Sequence, residues 1–156
     1  MRKFKGSIKV SGDKSISHRA LILSSMAVGK TKISNLLESQ DVMSTIKVLR
    51  ELGIIIRKNT KDWFVYGNGT GGFCQPKKEL DCGNSGTTAR LLIGAVSSNQ
   101  INCTFVGDKS LSKRPMSRIT NYLRNMGANV NLTNKNYLPL MIYGDGNLLP
   151  MQHVMD

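Results

Sequence analysis

Residues 11–19, Ser11-Gly-Asp-Lys-Ser-Ile-Ser-His-Arg19, form a polar glycine turn that runs straight into the apolar stretch Ala20-Leu-Ile-Leu-Ser-Ser-Met-Ala27. Ahead of the turn, Phe4, Ile8 and Val10 share one face of a two-residue period, which predicts a strand over residues 3–10. Behind it a helix is expected over 15–28, apolar on most sides and therefore buried. A strand, a glycine turn, small hydroxyls and a helix N-terminus together suit an anion, because outward N–H groups and the helix dipole both favour negative charge. Lys14 and Arg19 add two full positive charges. The same residues also read as a helix capped by Ser15 or Ser17 with two solvated cations beside it.

A second copy lies further along. At a shift of 71 positions Ser11-Gly12-Asp13 falls on Cys82-Gly83-Asn84, Arg19 on Arg90, and Ala20-Leu-Ile-Leu on Leu91-Leu-Ile-Gly. At a shift of 74, Leu49-Arg50-Glu51-Leu52-Gly53 falls on Leu123-Arg124-Asn125-Met126-Gly127. A period of roughly 70 residues is too long for a solenoid repeat and suits a duplicated supersecondary module. Two such turns imply two anionic groups, or one ligand gripped from both sides.

Working outward, each half shows one order of elements. After the first helix, 30–36 reads as a strand and 40–52 as a helix, with Val42, Ile46, Leu49 and Leu52 as its apolar stripe and Gly53 as its stop. Residues 54–57 and 62–66 form a hairpin-like strand pair, and Gly67–Gly72 is the best internal linker. The second half repeats this with strand 77–81, helix 86–97 and strand 101–106. A further helix follows, with Pro115 in its first turn and Ile119, Leu123 and Met126 facing inward, and then strands near 129–132 and 138–143. The pattern is a mixed α/β (α+β) fold of repeated β-α-β-α-β-β units.

The 156 residues carry 22 Lys+Arg against 10 Asp+Glu, a net charge of +12, which attracts anions. Aromatics, at 6%, form no closely spaced stacking pairs, which favours small anions over single-stranded nucleic acid. No apolar run reaches membrane-spanning length, and no apolar region follows the charged N-terminus as in a signal peptide. Cys74, Cys82 and Cys103 lack C-x-x-C spacing, and with two histidines a zinc site is not expected; reduced thiols in a cytoplasmic protein fit best. Gly29-Lys30-Thr31 resembles the end of a P-loop, but Ser24 stands where the glycine is required. Gly83-Asn-Ser-Gly86 satisfies G-x-x-G, yet the element order differs from a KH domain, so a small basic RNA-binding module is the alternative from another class. His18 has no evident Cys or Asp partner and reads as a packing or turn residue.

Three stretches together carry a resemblance. Gly12-Asp-Lys-Ser-Ile-Ser-His-Arg-Ala20, Leu80-Asp-Cys-Gly-Asn-Ser-Gly-Thr-Thr-Ala-Arg90 and Gly107-Asp-Lys-Ser-Leu-Ser-Lys-Arg-Pro-Met116 resemble the 5-enolpyruvylshikimate-3-phosphate synthase family, in order and spacing, over nearly the whole chain. The resemblance implies transfer of the enolpyruvyl group of phosphoenolpyruvate to the 5-hydroxyl of shikimate 3-phosphate, with release of phosphate, a step of aromatic amino-acid biosynthesis. It implies no metal or organic cofactor, small anionic substrates rather than nucleic acid or membrane as partners, a cytoplasmic location and a monomer. It puts Lys14, Ser15 and Arg19 at shikimate 3-phosphate positions, with Lys14 reaching both substrates and serving catalysis. Asn84, Gly86 and Arg114 fall at phosphoenolpyruvate positions with Arg90 beside them; helix capping by Asn84 and an internal salt bridge for Arg90 are the plainer readings. UDP-N-acetylglucosamine enolpyruvyl transferase shares the fold and phosphoenolpyruvate chemistry, but it typically has Lys-Asn at Lys14-Ser15 and a cysteine where Lys109 stands.

The family's members are more than twice as long, with two closing domains of three units each. Residues 12–72 and 73–145 are expected to be two units, 146–156 the start of a third, and 1–11 a strand that packs with the other domain. A piece of this extent is expected to be inactive by itself, since the acid–base carboxylates belong to the other part.

Overall fold

The computed structural model describes residues 5–134 and 136–154. The first half contains α1 (Lys14–Met26), β1 (Val28–Ser34), α2 (Gln40–Glu51), β2 (Ile55–Lys58) and β3 (Asp62–Asn68). The second contains β4 (Leu80–Asp81), α3 (Gly86–Val96), β5 (Asn102–Val106), a single 3-10 turn (Leu111–Lys113), α4 (Ser117–Asn125), β6 (Asn129–Asn134) and β7 (Tyr137–Tyr143).

Both halves build their sheets alike. β1, β3 and β2 lie in that order with antiparallel pairing throughout, and β5, β7 and β6 do the same. β4 extends the second sheet by pairing parallel to β5. In the first sheet the corresponding place beside β1 holds no strand among the described residues. Residues 5–13 are not a strand: Ile8 is 91% and Val10 68% exposed, while Phe4 lies outside the described residues. Alternating hydrophobicity signals a strand only where a neighbour supplies ladder bonds and a surface to cover, and no described segment does so here.

Local chemistry explains where the helices start and stop. Asp13 caps α1, accepting the Ile16 N–H at 2.7 Å, in place of the expected Ser15 or Ser17. Ser17 instead donates to the Asp13 carbonyl at 2.7 Å and accepts the Leu37 N–H at 3.0 Å, pinning the loop that follows β1. α1 is also less buried than its composition predicts. Ile16 and Leu23 are exposed, whereas His18, Leu21, Ile22, Ser24 and Ser25 face inward. α2 begins at the Ser39 cap and ends before Gly53, whose φ of +85° suits glycine alone and whose Cβ would lie 2.6 Å from Cys74 Sγ. Pro115 stands ahead of α4 instead of in its first turn, with Met116 between them. Leu123 is buried there, and Ile119 and Met126 are half-buried.

α1, α2 and α3 contact one another, and one continuous core runs beneath them into both sheets. Leu21, Leu49 and Leu92 come from the three helices and Phe105, Leu140 and Ile142 from the second sheet, each at most 1% exposed. Each such side chain contributes about 1.5–3 kcal/mol by leaving water. The starts of α1 and α3 are thereby fixed on one rigid body.

Candidate active site

Lys14, Ser15 and Arg19 project from the start of α1 and are exposed. Lys14 Nζ forms an ion pair with Asp41 Oδ2, in the first turn of α2, where the helix dipole favours a carboxylate. Ser15 and Arg19 make no side-chain hydrogen bond or ion pair among the described residues. One turn after Lys14, His18 is fully buried, with Nδ1 2.7 Å from Thr45 Oγ1. His18 is thus a packing residue, as expected, and its polar neighbour is a threonine hydroxyl instead of a Cys or Asp. The contact continues: Thr45 Oγ1 lies 2.7 Å from Thr88 Oγ1, which is 2.7 Å from Ser85 Oγ and 3.1 Å from the Asp41 carbonyl. Burial holds the His18 imidazole below its ordinary pKa; Asp41 opposes that effect and Lys14 adds to it.

The second turn is stiffened by Asp81. One carboxylate oxygen accepts the Gly83 N–H at 2.8 Å and the other accepts Lys47 Nζ at 2.8 Å, and the Lys47 and Gly83 bonds hold this acid below its usual range. Ser85 caps α3 by accepting the Thr88 N–H at 3.1 Å, and the Ser85 N–H bonds to the Cys82 carbonyl at 3.0 Å. The Gly86 and Thr87 N–H groups therefore remain at the head of α3, beyond reach of the helix's own carbonyls. Around them stand two guanidinium groups. A Cβ at position 86 would lie 2.7 Å from Arg90 Nη1 and 3.4 Å from Arg114 Nη1, so glycine lets both guanidinium groups approach the backbone here. Arg90 donates to the Pro115 carbonyl at 3.3 Å, its Nε is buried without a partner, and no salt bridge forms to it among the described residues. Burial, then the charges of Arg118 and Arg114, lower its pKa.

The loop after β5 is tied to this turn. Asp108 N–H bonds to the Gly83 carbonyl at 2.9 Å, and Asp108 Oδ1 accepts the Ser110 and Leu111 N–H groups at 2.9 and 2.8 Å. Asn84 does not cap α3. Its Nδ2 donates to Asp108 Oδ2 at 2.7 Å and its Oδ1 accepts Arg114 Nη2 at 2.8 Å, while Arg114 also reaches Ser110 Oγ at 3.3 Å. Asp41, Lys47, Asp81, Asn84 and Asp108 line one open depression of about 470 Å³ between α2 and the second turn. The structure thus brings Lys14, through Asp41, to the cavity that Asn84 borders, and gathers Gly86, Arg90 and Arg114 at the head of α3. Ser85, Thr88 and Asp108 stand inside the matched stretches 80–90 and 107–116 without a role read from them, whereas Asp41, Thr45 and Arg118 lie outside every motif and carry no local signal of a site.

The profile of the family described as EPSP synthase (3-phosphoshikimate 1-carboxyvinyltransferase) matches residues 1–156. The chain belongs to the EPSP synthase family. A 3-phosphoshikimate 1-carboxyvinyltransferase of Zymomonas mobilis is 48% identical over 149 residues, 95% of this chain and 33% of the relative. One from Oceanobacillus iheyensis is 49% identical over 140 residues, 89% of this chain and 33% of the relative. The structure of EPSP synthase from Acinetobacter baumannii superposes with a TM-score of 0.91 at 39% identity, covering 96% of this chain and 34% of that one. The chain therefore spans about a third of the length of these EPSP synthases. The mixed α/β class expected from the sequence is the class of this family's solved member. Membership also favours the shikimate branch over the UDP-sugar relative. No helix among the described residues is long and apolar enough to cross a membrane, and no cluster of His, Cys, Asp or Glu there could hold a metal ion.

Proposed function

We propose that this chain carries substrate-binding turns of a 3-phosphoshikimate 1-carboxyvinyltransferase, which joins the enolpyruvyl group of phosphoenolpyruvate to the 5-hydroxyl of shikimate 3-phosphate and releases phosphate. The observation that carries the reading is the approach of Arg90 and Arg114 to Gly86 at the head of α3, with no carboxylate neutralising Arg90 among the described residues. Like charges held together at a helix N-terminus lower their mutual repulsion by taking up an anion. Gly86 and Thr87 supply N–H donors to phosphoenolpyruvate, and the Arg114 fork binds its carboxylate or phosphate bidentately. At the head of α1, Ser15 and Arg19 bind the phosphate of shikimate 3-phosphate.

Lys14 is a mobile point charge paired with Asp41, which also lines the cavity beside the second turn. Transfer requires the 5-hydroxyl to lose a proton while the methylene carbon of phosphoenolpyruvate gains one. Lys14 is positioned to stabilise the negative charge of both substrates and to assist that proton movement. Residues 12–72 and 73–145 act as two related units, a division supported by the shared β1-β3-β2 and β5-β7-β6 order. The net charge of +12 supports small phosphorylated partners, because such a surplus attracts anions.

Calorimetric titration of shikimate 3-phosphate into the wild type and Arg19→Ala tests the assignment. A charged hydrogen bond contributes about 1.5–3 kcal/mol, so affinity falls at least about tenfold in the variant. Equal affinity of the two proteins overturns the role of Arg19.

A further inference from the structure

We propose that His18 is a positioning residue: through the buried chain His18–Thr45–Thr88–Ser85 it fixes the head of α3 relative to the head of α1. The four side chains come from α1, α2 and the capped start of α3, and each is at most 1% exposed. Successive contacts along the chain are each 2.7 Å. The last member, Ser85, is the cap that holds Thr88 N–H and sets where Gly86 begins the helix. The functional weight of this coupling rests on the reading of these two helix starts as substrate sites.

The chain has a preferred direction. Thr88 Oγ1 has one hydrogen to place between Ser85 Oγ and the Asp41 carbonyl, and both are acceptors within reach. Using it there leaves Thr88 to accept from Thr45, and Thr45 in turn to accept from His18. That order requires the Nδ1–H tautomer, which leaves His18 Nε2, buried without a partner, as a bare lone pair. The opposite order would bury an unpaired N–H donor, which folded proteins tolerate less readily than an under-used acceptor. His18 thus acts as the terminal donor that orients the hydroxyls behind it. The charged groups facing it are Asp41 of α2 and Lys14 of its own helix, so the imidazole is also tied to the first ion pair of the site.

The test uses His18→Asn, His18→Leu, Thr88→Ser and Thr88→Val in this chain. Asn places an N–H donor near the position of Nδ1, and Ser keeps the hydroxyl; Leu and Val keep volume without either. Nitrogen-15 spectra should show the Nδ1–H tautomer in the wild type. Amide exchange at Thr88, normalised to global stability from urea unfolding, should quicken at least about fivefold in His18→Leu and Thr88→Val, as loss of a helix cap does. It should stay near the wild-type rate in His18→Asn and Thr88→Ser. The Nε2–H tautomer, or exchange in His18→Leu that merely follows global stability, overturns the proposal. If one variant fails to fold, its counterpart on the other helix still decides. A phosphoenolpyruvate titration keeps the two readings apart. No binding by the wild type removes the substrate reading and leaves exchange to decide the coupling. Binding that is equal in wild type and His18→Leu overturns the positioning role.

Discussion

Arg114 Nη2 donates to Asn84 Oδ1 at 2.8 Å, across the gap between the second glycine turn and the loop after β5. The amide of Asn84 can face only one way: Asp108 needs its N–H and Arg114 needs its carbonyl oxygen. Asn84 is therefore a spacer that holds the Arg114 guanidinium near Gly86 while keeping it apart from the Asp108 carboxylate. Direct pairing of Arg114 with Asp108 would consume the charge that an incoming anion needs.

Gly86→Ala tests that geometry. The new Cβ meets only the far ends of two flexible side chains, Arg90 Nη1 at 2.7 Å and Arg114 Nη1 at 3.4 Å. Both can swing aside, so the urea midpoint should stay close to that of the wild type. Phosphoenolpyruvate affinity should fall about tenfold, the effect of losing one good charged hydrogen bond. Unchanged affinity would show that the guanidinium groups need not crowd position 86.

Acid should destabilise the chain through His18. Its folded pKa lies below the ordinary 6.5 because burial disfavours the charged form. Below that value the unfolded chain takes up a proton that the folded chain resists, so stability is lost as pH falls. Asp81 acts in a separate window: its pKa is depressed from 3.8, so its contribution is present above that value and is lost only in stronger acid. The urea midpoint of the wild type should drop between about pH 7.5 and pH 5.5, and His18→Asn should drop less. Parallel curves would assign the acid sensitivity to other groups.

The legible parts of the fold were those governed by local rules. The α2 stripe Val42, Ile46 and Leu49 with its Gly53 stop, and the hairpin around Asp62–Asn68, follow from periodicity and glycine chemistry. What could not be read depended on distant partners. Residues 5–10 alternate like a strand but have no described neighbour to pair with, and Ile16 and Leu23 look like core while facing solvent. The site divided in the same way. Lys14, Gly86 and Arg114 are candidates by motif, whereas Thr45 and Thr88 look like ordinary helix residues until packing brings them together from 43 positions apart.

The thiols give an independent check on packing. Burial pushes both Cys82 and Cys103 up to about 12, while Cys74 is exposed. The thiolate is the reacting form, so iodoacetamide at about pH 8 should alkylate Cys74 and leave the other two intact. Mass spectrometry should find one label on the native chain and three after denaturation. Comparable native labelling of Cys82 or Cys103 would contradict the buried sheet core.

The most direct test of the two-turn site is an amide-resolved titration of nitrogen-15-labelled residues 1–156, first with shikimate 3-phosphate and then with phosphoenolpyruvate added on top. Shikimate 3-phosphate should move Ser15 and Arg19, and phosphoenolpyruvate should then move Gly86, Thr87 and the Asn84 side chain. Shifts gathered instead on the exposed sheet face, where Lys30 lies 4.4 Å from the Phe64 ring, would contradict the account, as would saturating additions of both ligands that leave the two helix starts unmoved.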